Sequence, residues 1–533
     1  MKKPFLLTQL LDDQLSDRDA IVDKIGRHTY SEINSLAGKI AEWLVNSGVK
    51  AGDRVVIFGI NSSRLVAAIF GVLKINGVIV PIHPDTPISR FDFVRQDCLP
   101  AAIVIDANRI QIHADALRHT NKPILVTSDE DVDHNNFEFD IATWSTLTQY
   151  SEHSRLNQFR SSSLAAIIYT SGSSKDPRGV MLPHQQMIFA TTAINSVIGN
   201  DSMDVILCGL PLSFDYGLYQ IFLTFQAGAK LILEPDFHIP MAIPRLINQY
   251  SVTGFPGVPS IFGMLLRSRL LERSNLPSLR YITSTGDVFP TSYIEQLRKL
   301  LPQVTIFPMY GLTECKRVSI VPRDQLSGHE SSVGLPLPGT NVLIIDEMGQ
   351  PVPHGQVGEL VVRGPHVMAG YWNNPEETAK RFRFDISKSE TALHTGDNFY
   401  TDGDGFLYFV GRREMFIKSR GHKISPLEIE TTIYKIKGVV EAAVVGCPDP
   451  ILGESIWAFV SLTNSEHVGT SEITEYCRNN LSLVACPSYV VALKSLPKTE
   501  NGKIDRIRLC ELALEMTETR VGTTSSIDTS NSR

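Results

Sequence analysis

A run of hydroxyls, glycines and cations follows the apolar stretch Leu164–Tyr169: Thr170, Ser171, Gly172, Ser173, Ser174, Lys175, Asp176, Pro177, Arg178 and Gly179. Glycines let backbone N–H groups approach an anion, Ser and Thr hydroxyls donate further bonds, and Lys175 or Arg178 supplies positive charge. Such a loop suits the cradling of a polyphosphate. A Ser/Gly-rich loop standing alone is as readily plain surface. The spacing is also not GxxxxGK followed by Ser or Thr, so a kinase-type P-loop is not supported.

Four later segments give that loop a context. They are Tyr310-Gly311-Leu312-Thr313-Glu314, His394-Thr395-Gly396-Asp397, Gly411-Arg412, and Pro497-Lys498-Thr499-Glu500-Asn501-Gly502-Lys503. In this order they resemble the adenylate-forming superfamily, which contains acyl- and aryl-CoA ligases, the adenylation domains of peptide synthetases, and luciferases. The resemblance spans essentially the whole chain, from Tyr30-Ser31-Glu32 to Asp505-Arg506.

The resemblance implies a role for each matching residue. Thr170 to Gly179 matches the phosphate loop usually written TSGTTGxPKG, with Ser173 and Ser174 for threonines, Lys175 for a glycine and Arg178 for lysine. Hydroxyl and cation chemistry survive these changes, while Lys175 puts a side chain where backbone freedom is usual. Tyr310 and Gly311 would lie against adenine, Thr313 would contact the α-phosphate, and Glu314 would hold Mg²⁺, which commonly bridges a carboxylate and substrate phosphates. Gly286 and Asp287 stand in the place of the adenine-contacting segment. Asp397 and Arg412 would hold the ribose. Lys503 would bridge the substrate carboxylate and the phosphate while an acyl-adenylate forms from ATP.

After that step the family rotates its C-terminal unit about a hinge, here Glu414, and brings another segment to the site. In this chain that segment is Lys418-Ser419-Arg420-Gly421-His422-Lys423, with Lys418, Gly421 and Lys423 beside the thiol arm of CoA or of a carrier protein's phosphopantetheine. Phe214 would gate the carboxylate pocket, and Gly257 and Val258 would form another wall. Asp215 is equivocal. A buried carboxylate needs either a cationic substrate or a protein partner; amino-acid-activating relatives use such an Asp for the α-ammonium group, whereas Tyr216-Gly217-Leu218 looks more like acyl-CoA ligases. The implied activity is therefore an acid–thiol ligase transferring to CoA, with a stand-alone enzyme loading an amino or aryl acid onto a separate carrier protein as the alternative. A degenerate nucleotide-binding scaffold, suggested by Lys175, is disfavoured by retention of Glu314, Asp397, Arg412 and Lys503.

These residues must be positioned by an α/β fold. Short β-branched runs at Arg54–Ile60, Val78–Ile82, Ala102–Ile105 and Ile124–Thr127 alternate with helical stretches such as Arg64–Ile75, the pattern of βαβ units. From about Asn341 the strands shorten between turn signals, predicting a small β-rich subdomain over about 335–410. A boundary near Arg412 then separates an N-terminal AMP-binding domain, 1–412, from a small mobile α+β domain, 413–515, that carries Lys503. Residues 516–533, rich in Ser and Thr, are expected to be a disordered tail.

At 533 residues the chain is too long for one compact core. Its composition, 43% apolar and 20% charged, is that of an ordinary globular enzyme. A formal charge of −7 offers no basic field for nucleic acid. The seven cysteines form neither a CxxC pair nor a zinc-spaced cluster, Asp12 and Asp13 interrupt any signal-peptide core, and the apolar run Leu65–Leu73 is too short to span a membrane. A cytoplasmic protein is expected.

Overall fold

A computed structural model describes residues 6–113, 117, 122–128, 141–152, 162–170, 177–237, 239–385, 390–463, 468–500 and 502–525. Among them four sheets form, and the predicted α/β architecture of a large N-terminal domain and a small C-terminal one is observed.

The expected βαβ alternation builds a seven-stranded sheet whose order is 141–142, 124–126, 102–105, 54–58, 78–82, 164–170 and 178–183. All of its pairs are parallel except the last, a hairpin. The helix Ser63–Lys74 links the strands Arg54–Phe58 and Val78–Ile82, and starts where Ser62 Oγ accepts from Leu65 N at 3.2 Å. The strand beginning at Arg54 stops at Phe58 rather than reaching Ile60. There the Asp106 carboxylate takes the Ile60 N–H at 2.7 Å, pulling the chain out of the ladder. A nine-stranded sheet packs through the same apolar core, its centre a parallel run of 305–310, 281–284, 254–257, 205–208, 230–233 and 19–22. Parallel strands buried on both faces read as continuous apolar runs, as Ile206–Leu207 and Leu231–Leu233 do.

The β-rich stretch is an antiparallel five-stranded sheet of 341–345, 358–363 and 390–401, with 382–385 and 407–412 both pairing the edge of 390–401 away from 358–363. In the C-terminal unit the hairpin Val439–Asp449 with Gly453–Leu462 is longer than its apolar runs suggest. Asp449 Oδ1 accepts from Ile451 N at 2.9 Å and Leu452 N at 2.8 Å, closing the turn. The last helix, Arg506–Ser525, buries Leu509 and Ala513 and continues into the segment expected to lack structure. Its continuation is local helical hydrogen bonding, with Thr517 Oγ1 also donating to Ala513 O at 2.8 Å. Residues 526–533 lie outside the described residues. No helix among the described residues is long and apolar enough to cross a membrane.

Candidate active site

Ser171, Gly172, Ser173, Ser174 and Lys175 lie outside the described residues, but both ends of their loop are placed. Thr170 and Arg178 face each other across the hairpin of strands Leu164–Thr170 and Arg178–Pro183. The Arg178 guanidinium is 3.0 Å from Glu377 Oε2 and lies over the Tyr371 ring, 5.7 Å from its centroid.

Tyr371 also ties this corner to Glu314, donating from its hydroxyl to Oε1 at 2.7 Å. Tyr310 ends the strand Thr305–Tyr310, the outermost of the parallel run, which delivers Gly311, Thr313 and Glu314 to the loop beyond its C-terminal edge. Gly311 must be glycine: the chain doubles back so closely that a Cβ there would stand 2.1 Å from Lys316 O. Tyr310 donates to Asp397 Oδ2 at 2.6 Å, and Phe399 holds the tyrosine ring edge-on at 4.7 Å between centroids.

Asp397 and Arg412 are register partners on adjacent antiparallel strands, so the sheet itself sets the pair, with Arg412 Nε 3.6 Å from Asp397 Oδ1. Burial pushes the Asp397 carboxyl above its ordinary range, against the opposing pull of Arg412. The carboxylate thus offers a desolvated acceptor at the sheet edge while Arg412 stays exposed.

Lys503 arrives from the other domain on a turn closed by Gly502, at φ +74°, and anchored by Ser260 Oγ donating to Gly502 O at 2.8 Å. Its ammonium sits 5.2 Å from the centre of the Phe214 ring. A Cβ on Gly286 would lie 3.3 Å from Lys503 Cε, 3.5 Å from Val258 Cγ1 and 3.6 Å from Phe214 Cζ, so four of the sequence-nominated residues meet at one point. Gly286 takes φ +96°, which a side chain would strain as well as crowd. Gly257 pairs in register with Ser284 just before this turn. Desolvation lowers the Lys503 pKa, with Arg412 pushing the same way and Asp215, Asp287 and Glu314 opposing. A cation held there is primed to accept a negative partner.

The thiol segment is not brought to this point. Arg420-Gly421 forms the tight turn between strands Ile417–Ser419 and His422–Ile424, both residues at positive φ. Lys418 N bonds to Glu454, Lys423 Nζ pairs with Glu347 at 3.3 Å, and a Cβ on Gly421 would meet nothing within 4 Å. Glu414, 58% exposed, is 4.0 Å from Arg381.

Asp215 is buried in the first turn of the helix Asp215–Ala227 and has a partner in the chain: Lys316 Nζ reaches its Oδ2 at 3.2 Å and its carbonyl at 2.9 Å. Lys316 lies 4.4 Å from the Tyr219 ring centre, and burial brings its pKa down to about 7 despite Asp215. Reading the sequence alone missed Lys316, Arg317 and Tyr371. The signal for the first two was available: adjacent cations between the apolar Cys315 and Val318, in a stretch buried from Cys315 to Val321.

Comparison with known proteins places the chain. Residues 11–372 match the model of the AMP-binding enzyme family and 428–503 that of the AMP-binding enzyme C-terminal domain. A long-chain-fatty-acid–CoA ligase from Bacillus subtilis is 28% identical over 93% of this chain and 92% of its own length. An L-proline–[L-prolyl-carrier protein] ligase from Streptomyces coelicolor is 27% identical over 90% and 91%. Tyrocidine synthase 3 from Brevibacillus parabrevis is 29% identical over 94% of this chain, which spans only 8% of that protein. The ATP-bound structure of MatB from Rhodopseudomonas palustris superposes with a TM-score of 0.83 at 26% identity, covering 95% of this chain and 98% of that one. With both parts of the fold matched and its motifs in order, the chain belongs to the AMP-binding enzyme family of the adenylate-forming superfamily.

Proposed function

We propose that this protein activates a carboxylic acid with ATP, forming an acyl-adenylate and pyrophosphate, and then passes the acyl group to the thiol of CoA. The observation that carries the proposal is the seating of Lys503, a residue of the C-terminal unit, between Phe214 and Gly286 of the N-terminal domain. There it can hold the acid's carboxylate against the α-phosphate as the two oxygens approach. The reaction then needs mainly positioning and charge stabilisation.

Asp397, with Arg412 beside it, accepts from the ribose hydroxyls, Tyr310 and Gly311 lie along adenine with Gly286 and Asp287, and Thr170 with Arg178 bounds the phosphate loop. For Mg²⁺ the donor set fits. Glu314 presents one carboxylate whose Oε1 accepts from Tyr371, a hard oxygen donor suited to a cation shared with phosphate oxygens. Bound there, Mg²⁺ would neutralise phosphate charge as pyrophosphate leaves. Rotation near Glu414 then withdraws Lys503 and presents Lys418, Gly421 and Lys423 to the thiol.

A non-amino acid is favoured because Lys316 already fills the position that a substrate's ammonium group would take on Asp215, which removes support from the amino-acid branch of the carrier-loading reading. The carrier-loading reading retains the support of the S. coelicolor relative. ATP–pyrophosphate exchange over a panel of fatty, aromatic, dicarboxylic and amino acids, followed by thioester assays, tests both. Exchange with a non-amino acid and thioester formation on free CoA is expected. Exchange confined to amino acids, with transfer only to a carrier protein, would replace the first reading by the second. No exchange with any acid would reject both and leave a nucleotide-binding scaffold.

The nucleotide site has its own test. Asp397→Asn removes a charged acceptor worth about 1.5–3 kcal/mol, so the KM for ATP should rise about 10- to 100-fold. The KM for the acid should hardly move. A change in the acid's KM instead would detach Asp397 from the ribose.

A further inference from the structure

The arginine at the end of the phosphate loop has a partner on another element. Arg178 stands where lysine is usual, and its Nη2 lies 3.0 Å from Glu377 Oε2, the two side chains being only 17% and 23% exposed. Lys380 donates to Glu377 Oε1 at 2.8 Å and holds that carboxyl below its ordinary range against the pull of burial, with Arg178 adding to the effect. The guanidinium meanwhile lies over the Tyr371 ring. A planar guanidinium is shaped to pair with a carboxylate and stack on a ring at once, whereas a lysine ammonium is a point charge. Turning Arg178 towards a phosphate would break both contacts.

From Arg178 the contacts lead to Glu314. Met181 N donates to Gly370 O at 2.9 Å and Trp372 N to Gly179 O at 2.7 Å, so residues 370–372 run antiparallel beside the strand that Arg178 begins. On this segment Tyr371 is buried, its N–H donating to Thr378 Oγ1 at 2.9 Å and its hydroxyl to Glu314 Oε1 at 2.7 Å. Thr378 follows Glu377 on the helix Pro375–Arg381, so the helix that receives Arg178 also holds Tyr371. Met368 N donates to Glu314 O at 2.9 Å. Glu314 is thereby gripped at its backbone and at its carboxylate by one short stretch of chain, and Arg178 packs that stretch against the helix.

We propose that Arg178 and Glu377 are positioning residues, which act through Tyr371 to fix the Glu314 carboxylate for Mg²⁺, and that Arg178 does not itself hold the phosphates. This rests on the reading of the chain as an acid-activating ligase, and deepens it by assigning what orients the metal-facing carboxylate.

The test uses the full chain without an acid, so that no adenylate forms. ATP binding is measured by calorimetry in EDTA and across a Mg²⁺ titration, with AMP binding in EDTA as the check that the nucleotide site is intact. Glu377→Gln is the deciding variant, because it removes the partner and leaves the arginine. It should raise the Mg²⁺ concentration that half-saturates the gain in ATP affinity by about 10-fold, the lower end of what losing an outer-shell partner costs in metal affinity, and leave magnesium-free binding where it was. Arg178→Met should do the same, and the double variant should be no worse than either. Tyr371→Phe, which cuts the bond to Glu314 directly, should reach about 10- to 100-fold. Were Arg178 a phosphate ligand, Glu377→Gln would free it and tighten ATP binding in EDTA while Arg178→Met would weaken it there, which overturns the proposal. So do an unchanged Mg²⁺ response in Glu377→Gln, losses that add in the double variant, and loss of AMP binding by both single variants, the mark of a merely structural pair. Those outcomes leave acid activation standing. A wild type that binds neither nucleotide removes the ligase reading and this inference with it.

Discussion

Lys503→Ala is expected to abolish pyrophosphate exchange while leaving thioester formation from supplied acyl-adenylate largely intact. Loss of one preorganised donor to a developing charge typically costs about 10²- to 10³-fold in rate, and here the donor is a full cation in a desolvated cleft. Its charge is sustained by Asp215, Asp287 and Glu314 against burial and Arg412. The working form is protonated and the pKa is lowered. The adenylation rate should therefore fall as pH rises through a value below lysine's ordinary 10.5, with no such limb in transfer from supplied acyl-adenylate. Lys503→Arg should not rescue, since a planar fork on a longer stem cannot occupy the spot beside Phe214 and Gly286. Equal loss of both half-reactions would sink the two-state assignment, because Lys503 would then be needed in the same pose throughout.

The residues that sequence could nominate are those whose chemistry tolerates few substitutes at a given spacing. Asp397 and Arg412 are one example: they stand 15 positions apart, yet a two-strand ladder makes them direct partners. Gly286 is another, nominated by motif and placed by a backbone conformation and a crowded Cβ position that only glycine suits. The α/β alternation was legible because its parallel strands are nearly continuous apolar runs. Less was legible where the partner depends on how the chain loops back. Glu314 and Tyr371 are separated by 57 residues, and no local pattern joins them. Lys316 reaches Asp215 across 101 residues because the turn after Gly311 puts Lys316 at φ +58°, an uncommon conformation for a lysine. The thiol segment was nominated by motif alone; it folds as a hairpin, and where such a hairpin sits relative to Phe214 and Gly286 depends on domain orientation, which residue spacing does not encode.

Asp215→Asn should cost about 3–5 kcal/mol of stability, the usual consequence of removing one member of a buried ion pair. The loss comes from Lys316, left charged beneath Tyr216 and Tyr219 with only the Asp215 carbonyl to receive it. In the wild type Lys316 already titrates near 7, below its unfolded value of 10.5, so the unfolded chain binds more protons in that window. For this group stability therefore rises with pH from about 7 upward. Removing the Asp215 charge lowers the folded pKa further, so the variant's deficit should deepen as pH falls through 7. Adding Lys316→Met removes the stranded charge with little change in volume, and the double variant should recover most of the lost stability in denaturant titrations. If instead the two losses add, the pair is not coupled. If Asp215→Asn leaves stability untouched and suppresses exchange only with amino acids, then Asp215 faces a substrate ammonium group, and the carrier-loading reading takes the place of CoA ligation.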